Sequence, residues 1–399
     1  MIHRLQRGVV PDKHHTALRI EGELAFEHCF TRRGFESSYT ILYHRRPPHW
    51  VREEEELAAR AGPVGTSWDG ALRRRHFRTP ELAQGGTPFI ARRLLLANED
   101  LGLWVSRPVA DDPSLVANAD GDELTFVHEG SGRVDSPLGS LRFEAGDYVY
   151  VPRALPHRWR LDGPAFMFVI EGRSWIDIPE QFRNPAGQLR MDAPYSHRDF
   201  REPEWPGAGR SSLPTPWEIV VQSNGRLTRM ELANDPFDVV GWDGQVWPFA
   251  FPIRAFQPRT GLVHLPPTAH LTFAGGGFVV CSFVPRLVDT HEQAIPCPYP
   301  HSSVDCDEVL FYVDGAFTSR KGIARASVTL HPVGLPHGPH PGRYEASIGT
   351  RRTDELAVMV DAFTPLLPTD DARSVEDGGY NRSWVAMAGT GGTEDPVAW

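Results

Sequence analysis

The sequence predicts a mainly β protein with two related β-barrels in one chain. Its 399 residues include 36 Pro and 37 Gly, which interrupt short Val-, Leu- and Phe-rich runs about every ten residues. Long helical patterns are scarce, and a chain of this length exceeds one typical domain. An internal repeat indicates that the two expected domains are alike.

Two stretches of the chain, each about 30 residues long, share one spacing pattern. Residues 123–130 (ELTFVHEG) match residues 308–315 (EVLFYVDG), and residues 152–157 (PRALPH) match residues 332–337 (PVGLPH). Each copy places a glutamate seven positions before a glycine and ends in Pro-His. In the first copy, residues 146–152 predict a Gly-Asp turn followed by an alternating strand. The repeat therefore predicts one β-barrel in each half of the chain.

The strand that begins near Glu308 is expected to present alternate side chains to opposite faces. If Glu308 points into its barrel, so do three later residues: Leu310, Tyr312 and Asp314. The intervening residues then face the outer layer: Val309, Phe311 and Val313. His301 and Ser303 share one face for the same reason.

Two histidines and one carboxylate of the second copy form a candidate metal site: His301, Glu308 and His337. Two neutral imidazoles and one carboxylate are the ligand set of mononuclear non-heme iron(II) oxygenases. This set holds a divalent ion from one side and leaves other positions open for substrate and dioxygen. The ion keeps a small positive charge, so an anionic substrate oxygen can still bind.

The first copy has weaker ligands at the equivalent positions. It carries Val116, Asn118, Glu123 and His157, of which only the last two are good metal ligands. Three or four good ligands are the usual minimum for a stable site. We therefore expect the N-terminal barrel to be structural and metal-free.

Composition excludes several classes of protein. The net charge of −10 argues against nucleic acid as the main partner. The N-terminal segment lacks an apolar signal-peptide core and no stretch approaches about 18 apolar residues, so we expect neither a signal peptide nor a membrane span. Four cysteines without a CxxC pair fit reduced thiols in the cytoplasm: Cys29, Cys281, Cys297 and Cys306. Cys306 is expected to point away from the metal site.

Several segments carry a more specific signature. Residues 236–244 read PFDVVGWDG, residues 298–301 read PYPH ahead of Glu308, and residues 330–339 read LHPVGLPHGP. They are similar to the PFDVVGWxG, PYYH and LH…PHGP motifs of the homogentisate 1,2-dioxygenase family, which belongs to the cupin superfamily. Two N-terminal segments resemble the shorter bacterial members of that family: residues 8–16 (GVVPDKHHT) and 38–45 (SYTILYHR).

The resemblance implies two cupin jelly-roll barrels. With the repeat and the composition of the chain, we expect a degenerate N-terminal domain at residues 1–200 and a catalytic domain at residues 215–399. Residues 191–216, rich in Pro, Gly, Ser and charge, are the candidate linker, and residues 388–399 are expected to form a flexible tail. Family members commonly form trimers and hexamers, so we expect a homo-oligomer.

The resemblance also implies an activity. It implies Fe(2+) held by the candidate metal ligands and a dioxygenase that cleaves the ring of homogentisate or a related para-dihydroxy aromatic acid. The family's catalytic histidine best matches His264, with His270 as the second candidate. His264 would act as a general base that removes or holds a phenolic proton. Three further histidines are expected on the surface: His14, His15 and His340.

Two positions depart from the family pattern. Asp314 stands where an arginine is familiar, and Phe317 stands where the family carries a substrate-binding tyrosine. The candidate substrate contacts are His331, Tyr299, Tyr312 and Phe317, and His331 has the second possible role of orienting a metal ligand. Two alternatives stay open: a ring-cleaving oxygenase for another hydroquinone or aminophenol substrate, and a bicupin that is non-catalytic or an isomerase.

Overall fold

The computed structural model describes residues 2–59, 71–207, 213, 215–315, 317 and 319–385. In the first half of this part the strands are β1 Leu5–Gly8, β2 Arg19–Ile20, β3 Glu23–Leu24, β4 Phe26–Thr31, β5 Tyr39–His44, β6 Val51–Ala59, β7 Arg75–Phe77, β8 Arg93–Ala97, β9 Leu101–Ser106, β10 Leu115–Asn118, β11 Asp122–Glu129, β12 Gly132–Ser136, β13 Gly139–Phe143, β14 Asp147–Val151, β15 Arg158–Leu161 and β16 Phe166–Gly172. In the second half they are β17 Trp217–Ser223, β18 Arg226–Leu232, β19 Val239–Gly244, β20 Phe249–Pro252, β21 Leu271–Gly275, β22 Phe278–Phe283, β23 Arg286–Leu287, β24 Asp307–Asp314, β25 Val328–His331, β26 Arg352–Thr353, β27 Leu356–Ala362 and β28 Leu367–Pro368.

Helices are short and lie between the strands. The α-helices of the described residues are α1 Arg343–Ala346 and α2 Asp370–Ser374. The 3₁₀ turns are Thr79–Glu81, Glu180–Phe182, His197–Asp199, Ile253–Ala255, Pro267–His270 and Tyr380–Arg382. Within the described ranges, no helix has the length and apolar character needed to cross a membrane.

Two large antiparallel sheets organise the molecule. A seven-stranded sheet has the order β20-β14-β11-β16-β9-β8-β28, and a six-stranded sheet has the order β21-β22-β27-β24-β25-β7. A three-stranded sheet, β13-β12-β15, adds its apolar side chains to the core of the first. The mainly β, two-barrel jelly-roll prediction is confirmed, with the expected Gly-Asp turn leading into β14.

The two large sheets pack against each other through aromatic side chains. Phe311 of β24 stacks on Phe168 of β16 with ring centroids 4.9 Å apart, and it meets Phe126 of β11 at 6.1 Å. The hydroxyls of Tyr148 in β14 and Ser282 in β22 are hydrogen-bonded at 2.9 Å. The outer face predicted for β24 is therefore buried against the N-terminal barrel, where each large side chain contributes roughly 1.5–3 kcal/mol.

The alternation predicted for β24 holds until the end of the strand. The register between β24 and β27 shifts between Tyr312 and Asp314, which marks a β-bulge. Asp314 is consequently exposed, with its carboxylate 3.5 Å from Arg325 Nε. The prediction that Asp314 points into the barrel is wrong, because a bulge changes the face on which the following residue lies. Gly315 follows with a φ of 85°, and a Cβ there would lie 2.2 Å from the Asp354 carbonyl oxygen.

Several strands pair across the predicted domain division. β7 lies in the six-stranded sheet, whereas β20 and β28 lie in the seven-stranded sheet. β17 pairs in parallel with β10 of the N-terminal half. The division into residues 1–200 and 215–399 stays a proposal, as does the expected homo-oligomer.

Other expectations have mixed outcomes. The candidate linker is packed in part: Tyr195 and Phe200 are buried, and the backbone of Arg201 bonds that of Ala250. His14 and His15 are exposed as predicted, but His340 is 1% exposed, so its predicted surface position is wrong. The four cysteines are free, as expected. The predicted tail at residues 388–399 lies outside the described residues.

Candidate functional site

The internal repeat is visible as matched backbone hydrogen bonds. The backbones of His301 and His337 form an isolated antiparallel bridge, and those of Val116 and His157 form the same bridge in the N-terminal barrel. Glu308 lies opposite His331 on β25 and Asp361 on β27. Its counterpart in the N-terminal barrel likewise has a partner on each side: Val151 and Glu171 flank Glu123. The repeat therefore sets two equivalent positions for a site.

In the C-terminal barrel this geometry brings the three predicted metal ligands together. One candidate ligand atom from each of His301, Glu308 and His337 lies within 4.8 Å of the others. The Nε2 atoms of His301 and His337 are 3.7 Å and 3.5 Å from the carboxylate oxygens of Glu308. Glu308 and His337 are buried, and His301 is half-buried at the edge.

The two histidines are oriented for metal binding. The Nδ1 atom of His301 lies 3.1 Å from the Tyr299 carbonyl oxygen, and that of His337 lies 3.3 Å from the Leu335 carbonyl oxygen. A carbonyl only accepts hydrogen bonds, so each ring carries its proton on Nδ1 and presents a lone pair on Nε2. The buried Nε2 of His337 has no hydrogen-bond partner among the described residues. A divalent ion fits this donor set and would satisfy that nitrogen.

A third histidine fixes the carboxylate. His331, on the neighbouring strand, is fully buried, and its Nδ1 lies 2.7 Å from Glu308 Oε1. Burial lowers the pKa of His331 to about 3, so the neutral ring donates from Nδ1 to Glu308 and accepts at Nε2. The hydroxyl of Tyr380 lies 3.0 Å from that Nε2. His331 thus orients Glu308, which is the second of its two predicted roles. It lies outside the cavity lining, so the cavity does not support its first predicted role as a substrate contact.

A cavity of about 310 Å³ lies beside this cluster, and His337 is outside its lining. His301 and Glu308 form part of its wall, and much of the remainder is apolar or aromatic, including Leu310, Phe283, Ala357 and Met359. Its size is at the lower end of the range for small-molecule sites. A single substituted ring suits such a space better than a fused or extended ligand.

The two candidate catalytic histidines both line this cavity but differ in environment. His264 is partly exposed, and its Nδ1 lies 3.2 Å from Asp289 Oδ2. His270 is 4% exposed and packs on Phe283 with centroids 4.6 Å apart. Burial lowers the pKa of His270 to about 3. His264 therefore has the better geometry for moving a proton at the cavity.

The aromatic candidates for substrate contact lie around the cavity. Tyr312 is buried, and its hydroxyl is 3.1 Å from Thr329 Oγ1. Phe317 packs edge-on against Tyr312 with centroids 4.5 Å apart. Tyr299 lies nearer the entrance, 49% exposed, with its ring 5.2 Å from that of His264. All three contribute to the lining.

Two charged residues of the site were not singled out from the sequence. Arg320 lines the cavity and is only 6% exposed; its Nη1 donates to the Gly338 carbonyl at 2.7 Å, and its buried Nε has no partner among the described residues. Asp361, beside Glu308, also lines the cavity, and burial raises the pKa of its carboxyl to about 7. Neither lies in a recognised motif, and only the fold brings them to the site.

The equivalent position in the N-terminal barrel is filled differently. The guanidinium of Arg92 binds both carboxylate oxygens of Glu123, at 2.5 Å and 2.7 Å, and both side chains are about 1% exposed. The Asn118 amide donates to Glu123 and to Glu171, at 2.9 Å and 2.8 Å. Burial opposes ionisation, but Arg92 lowers the pKa of Glu123 to about 2. A fixed cation thus neutralises this carboxylate.

Comparison with known proteins identifies the family. The family model described as the homogentisate 1,2-dioxygenase N-terminal domain matches residues 105–253. A Saccharolobus solfataricus protein, named only provisionally as a dioxygenase, is 35% identical over 387 residues, which cover 96% of this chain and 99% of the relative. The chain belongs to the homogentisate 1,2-dioxygenase family.

The relatives named as homogentisate 1,2-dioxygenases have lower sequence identity to this chain. The homogentisate 1,2-dioxygenase of Pseudomonas putida is 25% identical, with 92% of this chain and 88% of that protein covered. The enzyme of the same name from Rhodopseudomonas palustris is 27% identical, with 65% of this chain and 59% of that protein covered.

Solved structures with cupin folds are similar only in part. A cupin 2 conserved barrel domain protein from Leptotrichia buccalis matches with a TM-score of 0.33 at 9% identity, covering 74% of this chain and 98% of its own. An oxalate decarboxylase variant from Bacillus subtilis matches with a TM-score of 0.32 at 14% identity, covering 74% and 78%. Scores this low add nothing about the site.

Against the homogentisate 1,2-dioxygenase family pattern, the two departures now differ in weight. Asp314 is exposed and faces Arg325 outside the cavity. Phe317 lines the cavity beside Tyr312, without a hydroxyl. Only the second departure changes the surface that a substrate would meet.

Proposed function

We propose that the chain is an Fe(2+)-dependent dioxygenase that cleaves the ring of homogentisate or a related para-dihydroxy aromatic acid. Both atoms of dioxygen would enter the product as one ring carbon–carbon bond breaks. The observation that carries this proposal is the meeting of two imidazole Nε2 atoms and one carboxylate beside a ring-sized cavity, which the carboxylate and one of the imidazoles line.

The metal would be held by His301, Glu308 and His337. When bound, ferrous iron supplies a redox-active centre at which a phenol and dioxygen can react together. His331 and Tyr380 would keep the Glu308 carboxylate in one orientation, because they form a hydrogen-bonded chain behind it.

The cavity offers a place for each part of an aromatic acid. Leu310, Tyr312, Phe317 and Met359 would pack on the ring. Arg320 would pair with the substrate carboxylate, because it is a buried cation in the lining that forms no ion pair with a described carboxylate. A second lining arginine cannot do this as easily, since Arg286 already bonds Glu355 at 2.7 Å.

His264 would act as the general base. It lies at the cavity, and a neutral imidazole accepts a phenolic proton near neutral pH. Removing or holding that proton raises the electron density of the ring before it meets dioxygen. The apolar side chains around the ring would keep bulk water from competing for the same proton.

A second substrate class is favoured by one observation. Phe317 lines the cavity without the hydroxyl that a tyrosine would offer to the substrate. A substrate that needs no hydrogen bond at this position would therefore lose less binding energy than one that does. The alternative is therefore another hydroquinone or an aminophenol acid. A bicupin that binds a small molecule without catalysis, or acts as an isomerase, is the remaining candidate.

Dioxygen consumption by protein purified without oxygen and loaded with Fe(2+) tests the proposal. The panel is homogentisate, 2,5-dihydroxybenzoate, methylhydroquinone and 2-aminophenol, with ¹⁸O₂ to follow the oxygen atoms. We expect consumption with a dihydroxy acid and two labelled atoms in the product. Activity only with 2-aminophenol would support the alternative class. Metal binding without dioxygen consumption by any ring would overturn the dioxygenase proposal.

A further inference from the structure

His264 lines the cavity and has a carboxylate partner, Asp289, that lies outside the lining. Its Nδ1 lies 3.2 Å from Asp289 Oδ2, in hydrogen-bonding geometry. The Asp289 side chain is 12% exposed and that of His264 is 29% exposed, so this contact is partly shielded from water. The edge of the Tyr299 ring packs on the imidazole, with centroids 5.2 Å apart.

The two segments that carry this pair are fastened to each other. The Thr260 hydroxyl donates to the Leu287 carbonyl at 3.2 Å, and the Thr290 amide donates to the Gly261 carbonyl at 3.0 Å. Asp289 thus lies between two residues that bond the loop of His264. A further bond, from the Val288 amide to the Arg351 carbonyl at 3.1 Å, ties this segment to the loop before β26.

We propose that Asp289 is a positioning residue for the base, holding His264 as the tautomer with its proton on Nδ1. A carboxylate only accepts, so the shared proton belongs to the imidazole, and the Nε2 lone pair is then free to face the cavity. This inference rests on the proposed role of His264 as the base. An activated base needs such a third group, since a free imidazole samples both tautomers and several orientations.

The bland alternative is a surface ion pair that only fastens two loops. Its loss would change stability slightly and would leave the turnover of folded protein unchanged. The stapling bonds of the flanking residues use backbone and hydroxyl groups, so they survive removal of the Asp289 charge. A variant that removes the Asp289 charge should therefore stay folded, so a change in turnover would report the orientation of His264.

The tautomer can be observed without any activity. The protein is labelled with ¹⁵N-histidine and kept metal-free, and the His264 ring nitrogens are assigned from the signals lost in His264→Gln. We expect a protonated Nδ1 and a lone-pair Nε2 in the wild type, and a shift toward the Nε2–H form in Asp289→Asn. The Nε2–H form in the wild type, or an unchanged tautomer in Asp289→Asn, would overturn the positioning role whatever the enzyme's substrate.

Kinetics give the second test, with the substrate that the panel identifies. Asp289→Asn should lower kcat by about 100-fold with little change in KM, and Asp289→Glu should restore part of the loss. The double variant with His264→Gln should be no slower than His264→Gln alone, because the two residues act as a unit. The matched control is Asp354→Asn, an exposed carboxylate paired with Arg352 outside the cavity, which should keep wild-type kcat. Multiplying losses in the double variant, or an equal loss in the control, would contradict the proposal.

If no substrate in the panel is consumed, the dioxygenase proposal fails on its own while the tautomer measurement still decides the fate of Asp289. If dioxygen is consumed but the tautomer is unaffected by Asp289→Asn, the activity stands and the positioning role falls. The two failures are therefore distinguishable.

Discussion

Glu123 and Glu308 occupy equivalent positions in two barrels of one chain, yet they are neutralised in different ways. Glu123 is bound at both oxygens by the buried guanidinium of Arg92. Glu308 instead meets three imidazoles, of His301, His331 and His337. Burial opposes ionisation of Glu308, but the histidines that face it hold the pKa of the carboxyl well below its usual range.

The difference shows how equivalent positions in two barrels of one fold can give a buried carboxylate different partners. A buried carboxylate needs a cation, and a fixed arginine supplies one permanently. Neutral imidazoles with free Nε2 atoms leave the position for an exchangeable ion. The carboxylate that faces the histidines lines a cavity, whereas Glu123 and Arg92 are each about 1% exposed at the side chain.

Exchanging each glutamate for its amide should give the largest contrast. Glu308→Gln removes an anionic ligand, so we expect iron affinity to fall more than about 1,000-fold, beyond the 10- to 100-fold cost of losing an outer contact. Glu123→Gln should leave iron affinity unchanged and lower stability, because it leaves Arg92 unpaired. Chelator competition on both variants measures this. Equal iron loss in the two would break the comparison.

Removing the arginine should cost stability without touching the metal. Arg92→Met leaves Glu123 as an unpaired buried charge, so the free energy of unfolding should fall by about 3–5 kcal/mol. The control Arg352→Met breaks an exposed pair and should cost less than about 1 kcal/mol. Urea unfolding followed by tryptophan fluorescence, with iron content measured in parallel, gives both numbers. A stable Arg92→Met protein would show that the pair is not needed.

Metal binding should stabilise the chain through one barrel only. A ligand present at about 100 times its Kd raises the free energy of unfolding by about 2.7 kcal/mol. Adding Mn²⁺ as an air-stable substitute should therefore raise the Tm of the wild type and of Glu123→Gln. Glu308→Gln should show no increase. Stabilisation of Glu308→Gln would locate the ion elsewhere.

The smallest effect on iron affinity is expected from Tyr380, which contacts Glu308 only through His331. Tyr380→Phe removes the hydroxyl that meets His331 Nε2, so iron affinity should fall by about 10-fold. The matched control is Tyr148→Phe, which removes another buried hydroxyl, bonded to Ser282 between the barrels. It should leave the affinity unchanged. A similar loss in both would indicate general loosening rather than orientation of Glu308.

The sequence predicted the parts of this molecule that depend on local spacing. The Glu-to-Gly interval and the Pro-His ending singled out Glu308 and His337, whose side chains approach to 3.5 Å. Alternation along β24 placed Leu310 and Tyr312 in the cavity lining. The same repeat predicted two related β-barrels, and the family resemblance implied that they are cupin barrels. The choice of metal ligands from this pattern stays a prediction.

What the sequence did not reveal depends on distant partners. Arg92 is 31 positions from Glu123 and belongs to no motif. His340 was expected on the surface, but Ser383 and Trp384, from the last described segment, cover it. Asp314 was placed by alternation alone, and a bulge overrode it. Each error concerns a contact or a register shift that one sequence does not encode locally.

The decisive measurement is the iron content and dioxygen consumption of His337→Ala and His157→Ala, the same substitution at the two equivalent positions. We expect about one iron per chain and full activity in His157→Ala, with both lost in His337→Ala. Retention of iron and turnover by His337→Ala, or their loss in His157→Ala, would contradict the assignment of the C-terminal barrel as the working site.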